Sequence, residues 1–190
     1  MNELSLHILD LVQNAISAGA SHIIILVEQQ PEQDLLIIEI RDDGCGMSEE
    51  LLQRVVSPFA TTRTTRKVGL GIPMFKQCAE QCEGKFSLAS RPNEGTVIRA
   101  EFRRSHVDLP PMGDLAGTMC SLLIASPEKP EFTLEYVFGK ERFVFDTAEI
   151  RNALGGLPLN LPEVIEWVKG YLQEGMRQAE SPEADSQQNL

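Results

Sequence analysis

Two pairs of β-branched runs, each pair broken by a short turn segment, constrain the fold of this chain more than any other feature. "HIIILVEQ" (22–29) and "DLLIIEIRD" (34–42) are joined through the polar "QPEQD", and "KFSLASR" (85–91) and "TVIRAEFR" (96–103) through "PNEG". Such runs around Pro, Asn and Gly predict two β-hairpins. The segments before and between them have a different period. "ELSLHILDLVQNAISAGAS" places Leu6, Leu9, Val12, Ala15 and Ile16 at helical spacing and ends on Gly19 as a cap. "SEELLQRVV" reads as a short helix with Ser48 as N-cap, and "IPMFKQCAEQC" as a helix that Pro73 opens and Gly84 closes. The stretch between them, "SPFATTRTTRKVGLG", has neither period and is predicted to be a mobile loop. This order of elements predicts an α/β (α+β) two-layer sandwich, an antiparallel or mixed sheet with helices on one face.

The proline-rich "SHVDLPPMGD" divides the chain into a main body (1–105), a linker (106–111) and a small α+β C-terminal extension (112–179). The extension is expected to hold a helix ("LAGTMCSLLIAS"), a hairpin turning at Gly139 ("FTLEYVFGKERFVF") and two more helices ("TAEIRNAL" and "PEVIEWVKGYLQEG"). Residues 180–190, "ESPEADSQQNL", are polar and acidic and are expected to be disordered. The extension carries no chemical motif; Trp167, Tyr171 and its apolar helix faces suit a core or a partner-docking surface.

Composition narrows the function. With 42% hydrophobic and 24% charged residues the chain is an ordinary globular one, and no apolar stretch reaches the roughly 20 residues a membrane span needs. The start lacks the basic region and cleavage signal of a secretory peptide, so a cytoplasmic location is expected. A formal charge of -11 argues against generic binding to nucleic acid or anionic membrane, whose phosphates need clustered cations. One local exception is "TTRTTRK" (61–67), where Arg63, Arg66 and Lys67 crowd among hydroxyls without an acid, chemistry suited to a small anion. The four cysteines, 45, 78, 82 and 120, have no metal-binding spacing, and Cys78 and Cys82 are expected to be buried small hydrophobes.

Three features carry chemistry. On the first helix His7, Asp10 or Leu11, and Asn14 share a stripe; a carboxylate can act as base and a carboxamide oxygen suits Mg²⁺, though both could simply solvate one helix edge. In "RDDGCGM" a carboxylate stands at a strand end beside two glycines, a tight turn or the floor of a ligand pocket. In "KVGLGIP" two glycines run into a helix N-terminus, where free N–H groups and the helix dipole can hold phosphate oxygens. There is no Walker A loop.

"DLVQNAISAGA", "DDGCGM", "TTRTTRKVGLGIP" and "EGTVIRAEF" resemble, in that order, the N, G1, G2 and G3 boxes of the GHKL ATP-binding superfamily of gyrase, the ninety-kilodalton heat-shock chaperone, histidine kinases and MutL. The resemblance spans about residues 1 to 104 and implies the Bergerat ATP-binding fold with ATP and Mg²⁺ as ligands. It implies that Asn14 ligates the metal, that Asp42 accepts a hydrogen bond from the adenine amino group, and that Gly44 and Gly46 make room for the base while Asp43 faces solvent. By the same resemblance Gly69 and Gly71 hinge the lid and offer N–H groups to the phosphates, and Leu70 between them joins the nucleotide-binding residues. Thr96 sits near the adenine, and Thr62, Arg63 and Lys67, with Arg66, meet the phosphates from the lid.

Asp10 departs from the pattern. Hydrolysing members usually carry Glu there as the catalytic base and histidine kinases often Asn; Asp keeps the carboxylate but draws it back by about 1.5 Å. His7, one turn earlier, is expected to be a polar residue at the helix edge, with assistance to the base or phosphoacceptance as the other readings. The short lid is most similar to those of histidine kinases and anti-sigma-factor kinases. Because the N-box helix opens at the first residues, no dimerisation helix pair is expected before it. The resemblance therefore implies a stand-alone Mg-ATP-binding signalling subunit that phosphorylates a separate protein, or else an ATP-gated switch with slow or absent hydrolysis. A protein partner is expected, no nucleic acid or membrane is, and homodimerisation stays open.

Overall fold

The computed structural model describes residues 3–55 and 70–181. The first helix, α1 (Leu4–Ser17), buries Leu4, Ile8, Leu11, Val12 and Ala15 on one stripe, and Gly19 takes the left-handed conformation (φ +73°) that ends it. Its N-terminus is closed from afar: Leu4 and Ser5 donate their backbone N–H groups to the carbonyls of Pro111 and Met112 at 2.9 and 2.8 Å. The proline-rich segment therefore satisfies donors that a helix start leaves orphaned.

Strands β1 (His22–Gln30) and β2 (Leu35–Asp42) pair antiparallel through a single 3₁₀ turn at Pro31–Gln33, with Asp34 in the left-handed region. Helices α2 (Glu49–Val55) and α3 (Gly71–Gln81) precede the hairpin of β3 (Lys85–Arg91) and β4 (Gly95–Arg103). Beyond the break come α4 (Leu115–Ala125), β5 (Glu131–Phe138), β6 (Glu141–Asp146), α5 (Thr147–Ala153) and α6 (Pro162–Glu180).

All six strands form one mixed sheet in the order β3-β4-β2-β1-β5-β6. The C-terminal hairpin builds no sheet of its own: β5 lies parallel to β1, Ile25 beside Leu134 and Val27 beside Tyr136. The reason is burial. Ile23, Ile25 and Val27 face the helices, and pairing on both sides satisfies the backbone of this apolar strand. Phe132, Leu134, Phe145, Met119, Val168 and Leu172 join Ile8, Phe75 and Phe102 in one hydrophobic core. The other sheet face is open and carries ion pairs among Glu39, Arg41, Arg99 and Glu101. The architecture is the two-layer sandwich expected.

Two local expectations need correcting. Glu180, the first residue assigned to the acidic tail, is the last residue of α6, and the buried Tyr136 hydroxyl donates to it. That hydroxyl also accepts from Gln29 at 2.7 Å, so the helix end is tied to β1 and β5. His7 is not at a helix edge: it is 3% exposed, its ring 5.6 Å from that of Phe75. The stripe it shares with Leu4, Ile8 and Leu11 faces the core. Cys78 and Cys82 are buried as expected. Among the described residues no helix is long and apolar enough to cross a membrane.

Candidate functional site

The register of the central strands sets the site. Asp42 ends β2 opposite Thr96 of β4, and both are buried. At that strand end the chain turns through Gly44 and Gly46, and the turn is fastened from three sides. Cys45 N–H donates to the Ala18 carbonyl after α1 (2.9 Å), Asn93 N–H of the β3–β4 turn donates to the Cys45 carbonyl (2.8 Å), and Met47 N–H donates to Ser90 Oγ (2.9 Å). Ser90 Oγ in turn donates to the Gly95 carbonyl and lies 3.0 Å from Thr96 Oγ1.

The glycines are required by close approach. Gly46 has φ +63°, and a Cβ on it would stand 1.9 Å from the Arg91 carbonyl oxygen. A Cβ on Gly44 would stand 2.8 Å from Asp42 Oδ1 and 3.0 Å from Ala18. Instead, Gly44 N–H donates to that same Oδ1 at 2.8 Å, which orients the carboxylate. Burial pushes the Asp42 carboxyl above its usual value, opposed by the N–H groups of Gly44 and Thr96. Asp43, expected to face solvent, is exposed, yet it accepts the N–H groups of Ser21 and His22 (2.7 and 2.9 Å) and the Ser21 hydroxyl. It thereby pins the turn to the start of β1.

Beneath this turn lies a cavity of about 360 Å³ lined by Asn14, Ala18, Asp42, Gly46, Met47, Leu51, Ile72, Thr96 and Ile98, with other α1 residues and Cys45. Its walls are mostly apolar and its polar groups few: a carboxylate at one end, a carboxamide at the other. At the Asn14 end α3 begins. Gly71, its first residue, is buried against α1; a Cβ there would come within 3.2 Å of Asp10 Cβ and 3.8 Å of Asn14 Nδ2. The Asp10 carboxylate, the Asn14 carboxamide and the N-terminus of α3 therefore meet at one place.

The structure thus gathers Asp10, Asn14, Asp42, Gly44, Gly46, Gly71 and Thr96 around one cleft. Leu70 precedes α3 and is exposed. Thr62, Arg63, Lys67 and Gly69, with Arg66, lie outside the described residues. Sequence reasoning missed Ser90 and the apolar lining of Met47, Leu51, Ile72 and Ile98, because a serine in a strand and scattered apolar residues carry no signature until the register brings them together. Among the described residues no group of three His, Cys, Asp or Glu could hold a metal ion.

Residues 2–106 match the sequence family described as histidine kinase-, DNA gyrase B-, and HSP90-like ATPase. Sporulation kinase E of Bacillus subtilis (strain 168) is 30% identical over 111 residues, which cover 57% of this chain and 14% of that protein. Sensor protein kinase PilS of Pseudomonas aeruginosa is 28% identical over 98 residues, covering 49% and 18%. The chain thus spans less than a fifth of the length of these curated relatives. The MutL ATPase domain of Aquifex aeolicus complexed with ADP overlays with a TM-score of 0.49 at 14% identity, covering 82% of this chain and 70% of that one.

Proposed function

We propose, on the premise that the chain belongs to the histidine kinase-, DNA gyrase B-, and HSP90-like ATPase family, that it binds Mg-ATP in this cleft and serves as the catalytic subunit that phosphorylates a separate protein. The observation that carries the reading is the cleft itself: an apolar slot with the Gly44-oriented Asp42 carboxylate at one end and Asp10, Asn14 and the N-terminus of α3 at the other.

The residues fit the ligand. With Oδ1 of Asp42 held by Gly44 N–H, the other carboxylate oxygen can accept from an adenine amino group, and Ile98, Met47 and Leu51 can cover a ring. A guanine, which offers a carbonyl at that position, would leave the buried carboxylate facing an acceptor. Asn14 Oδ1 is a hard oxygen donor suited to Mg²⁺, an ion that keeps several waters and takes its other ligands from phosphate.

Bound Mg-ATP supplies the terminal phosphoryl group and the metal that offsets its charge. The chain's own groups do the rest. Asp42 selects the base, and the N-terminus of α3 turns the positive end of its helix dipole toward the phosphates. Arg63, Arg66 and Lys67 add cationic charge from the lid. Asp10 accepts the proton of the attacking group, and Gly71 keeps its own side clear so that α3 can approach.

The placement of the three histidines supports an acceptor outside residues 1–190. His7 is buried; His22 Nε2 is engaged 2.8 Å from Thr133 Oγ1; His106 Nδ1 accepts the Asp108 N–H. A second reading, an ATP-gated switch that turns over slowly, is favoured by one observation: the base is the shorter Asp at position 10.

Incubating the protein with Mg²⁺ and γ-labelled ATP, following free phosphate, the chain's own label and label passed to added cell protein, tests the proposal. Affinity for Mg-ATP with label passing to a separate protein supports the kinase. Free phosphate alone, lost in Asp10→Asn, supports the switch, and no affinity for ATP overturns both.

A further inference from the structure

The far edge of the sheet, remote from the cleft, carries an unclaimed surface. β6 is an edge strand: β5 pairs with it on one side, and among the described residues nothing pairs on the other. Its sequence, "ERFVFD", holds three apolar residues in a row without Lys or Pro, and Val144 at its centre is 42% exposed. Edge strands of this kind are templates for pairing unless they are guarded. Beside the strand, α6 leaves Trp167 and Tyr171 51% and 41% exposed, the two rings stacked at 5.3 Å with 9° between their planes. Tyr171 also meets Phe143 and Phe145 of β6, at 5.5 and 6.4 Å between ring centres. Edge strand and aromatic pair are therefore one continuous patch.

We infer that this patch joins two copies of the chain, β6 pairing antiparallel with β6 of the partner about a two-fold axis at Val144. The argument for a second copy is charge. In that register Arg142 stands opposite Asp146 of the partner, Phe143 opposite Phe145, and Val144 opposite itself. With the axis at Phe143 Arg142 stands opposite Val144, and with the axis at Phe145 Val144 stands opposite Asp146. Within β6 only the Val144 register sets opposite charges directly across from each other. Arg142 is 57% exposed and bonds Glu135 at 2.8 Å, so its fork can serve both. The Asp146 carboxylate accepts from Ala148 N–H, Glu149 N–H and Thr133 Oγ1 and keeps lone-pair room for one more donor.

The opposite edge behaves differently. Pairing β3 with itself about Leu88 would set Lys85 against Arg91, like charges at both ends. An axis normal to the sheet keeps both helix layers on one side, so α6 of each copy lies beside the other, and Trp167 and Tyr171 of both can cover one another. Three strands separate Asp42 from this edge, so both clefts stay open and association is independent of nucleotide.

Sedimentation of the full chain at micromolar concentration tests the inference. The expected result is a dimer of the 21.1 kDa chain, unchanged by Mg-ATP and weakened at least about tenfold in Val144→Lys and in Trp167→Ala. Both positions are exposed, and circular dichroism of the variants verifies folding. In a Cys45→Ser background, which removes the exposed thiol, Val144→Cys should crosslink to itself on mild oxidation, because residues on the axis stand about 4.5–5.5 Å apart between Cα atoms. Arg142→Cys, opposite Asp146, should not. A monomeric wild type, a dimer that survives Val144→Lys, or a dimer in which Val144→Cys fails to crosslink overturns the proposal.

Discussion

Gly71 of α3 faces Asp10 of α1 so closely that a Cβ on the glycine would stand 3.2 Å from the Asp10 Cβ. The proposed base and the proposed phosphate-binding helix end are thus set against each other, and the missing side chain is what lets them meet.

Gly71→Ala separates these roles. Alanine is the better helix residue by up to about 1 kcal/mol, and the crowding needs only a few tenths of an ångström of relief. Thermal melts should therefore show a small change of either sign. Turnover or phosphoryl transfer should drop about tenfold or more, because Asp10 must move to give the methyl room. Equal turnover in the two proteins would break the link between Gly71 and Asp10.

Asp42→Asn should uncouple stability from affinity. The asparagine oxygen can keep the Gly44 N–H bond, but its amide then presents donors where an adenine amino group also donates. Affinity for ATP in calorimetry should fall about tenfold to a hundredfold. The folded-state pKa of Asp42 is raised by burial, so its ionisation opposes folding as pH rises through that raised value. The variant, which never ionises, should gain melting temperature relative to the wild type at neutral pH. The gain should vanish in acid below the usual carboxylate value.

His7 should give the opposite slope. Burial lowers its pKa below the usual 6.5, although the Asp10 carboxylate pulls it up, and Nδ1 has no hydrogen-bond partner among the described residues. The unfolded chain then binds the proton more readily, so stability falls as pH drops through about 6.5 toward the lowered folded value. His7→Leu, which removes the orphaned nitrogen, should flatten that slope and leave stability at neutral pH unchanged or higher by about 1 kcal/mol. Melting curves between pH 5 and 8, the range in which a histidine of ordinary pKa changes charge, would decide it.

Two glycines with positive φ should respond unequally to alanine. Gly95 has φ +87°, and a Cβ there would lie 1.9 Å from the Asp42 carbonyl oxygen; Gly139 has φ +59° with nothing within 4 Å. Gly139→Ala should cost about 1 kcal/mol, the left-handed penalty alone. Gly95→Ala must push apart the strand end that holds Asp42, and should cost more than about 3 kcal/mol and weaken ATP binding with it. Denaturant titration of both variants measures the difference.

Much of this protein was legible in its sequence because the signals are local. The apolar stripe of α1, the two hairpin turns, Pro73 at the start of α3 and Gly19 at the end of α1 act through their own backbone or within a turn of it, so period and punctuation suffice to place them. The glycine spacing around Asp42 and Gly71 was readable for the same reason, since a missing Cβ is written in the chain. Tertiary structure decided what depends on register and on distant partners. Nothing in "FTLEYVFGKERFVF" says that its first strand will lie parallel to β1, because that pairing is selected by the shared core beneath it. His7 looked like an edge residue until Phe75 came down on it. Ser90 became a staple, and Asp43 a clamp on β1, only when hairpin and turn were brought within hydrogen-bond reach. Local chemistry chose the elements, and burial of their apolar faces against one another chose which side chains meet.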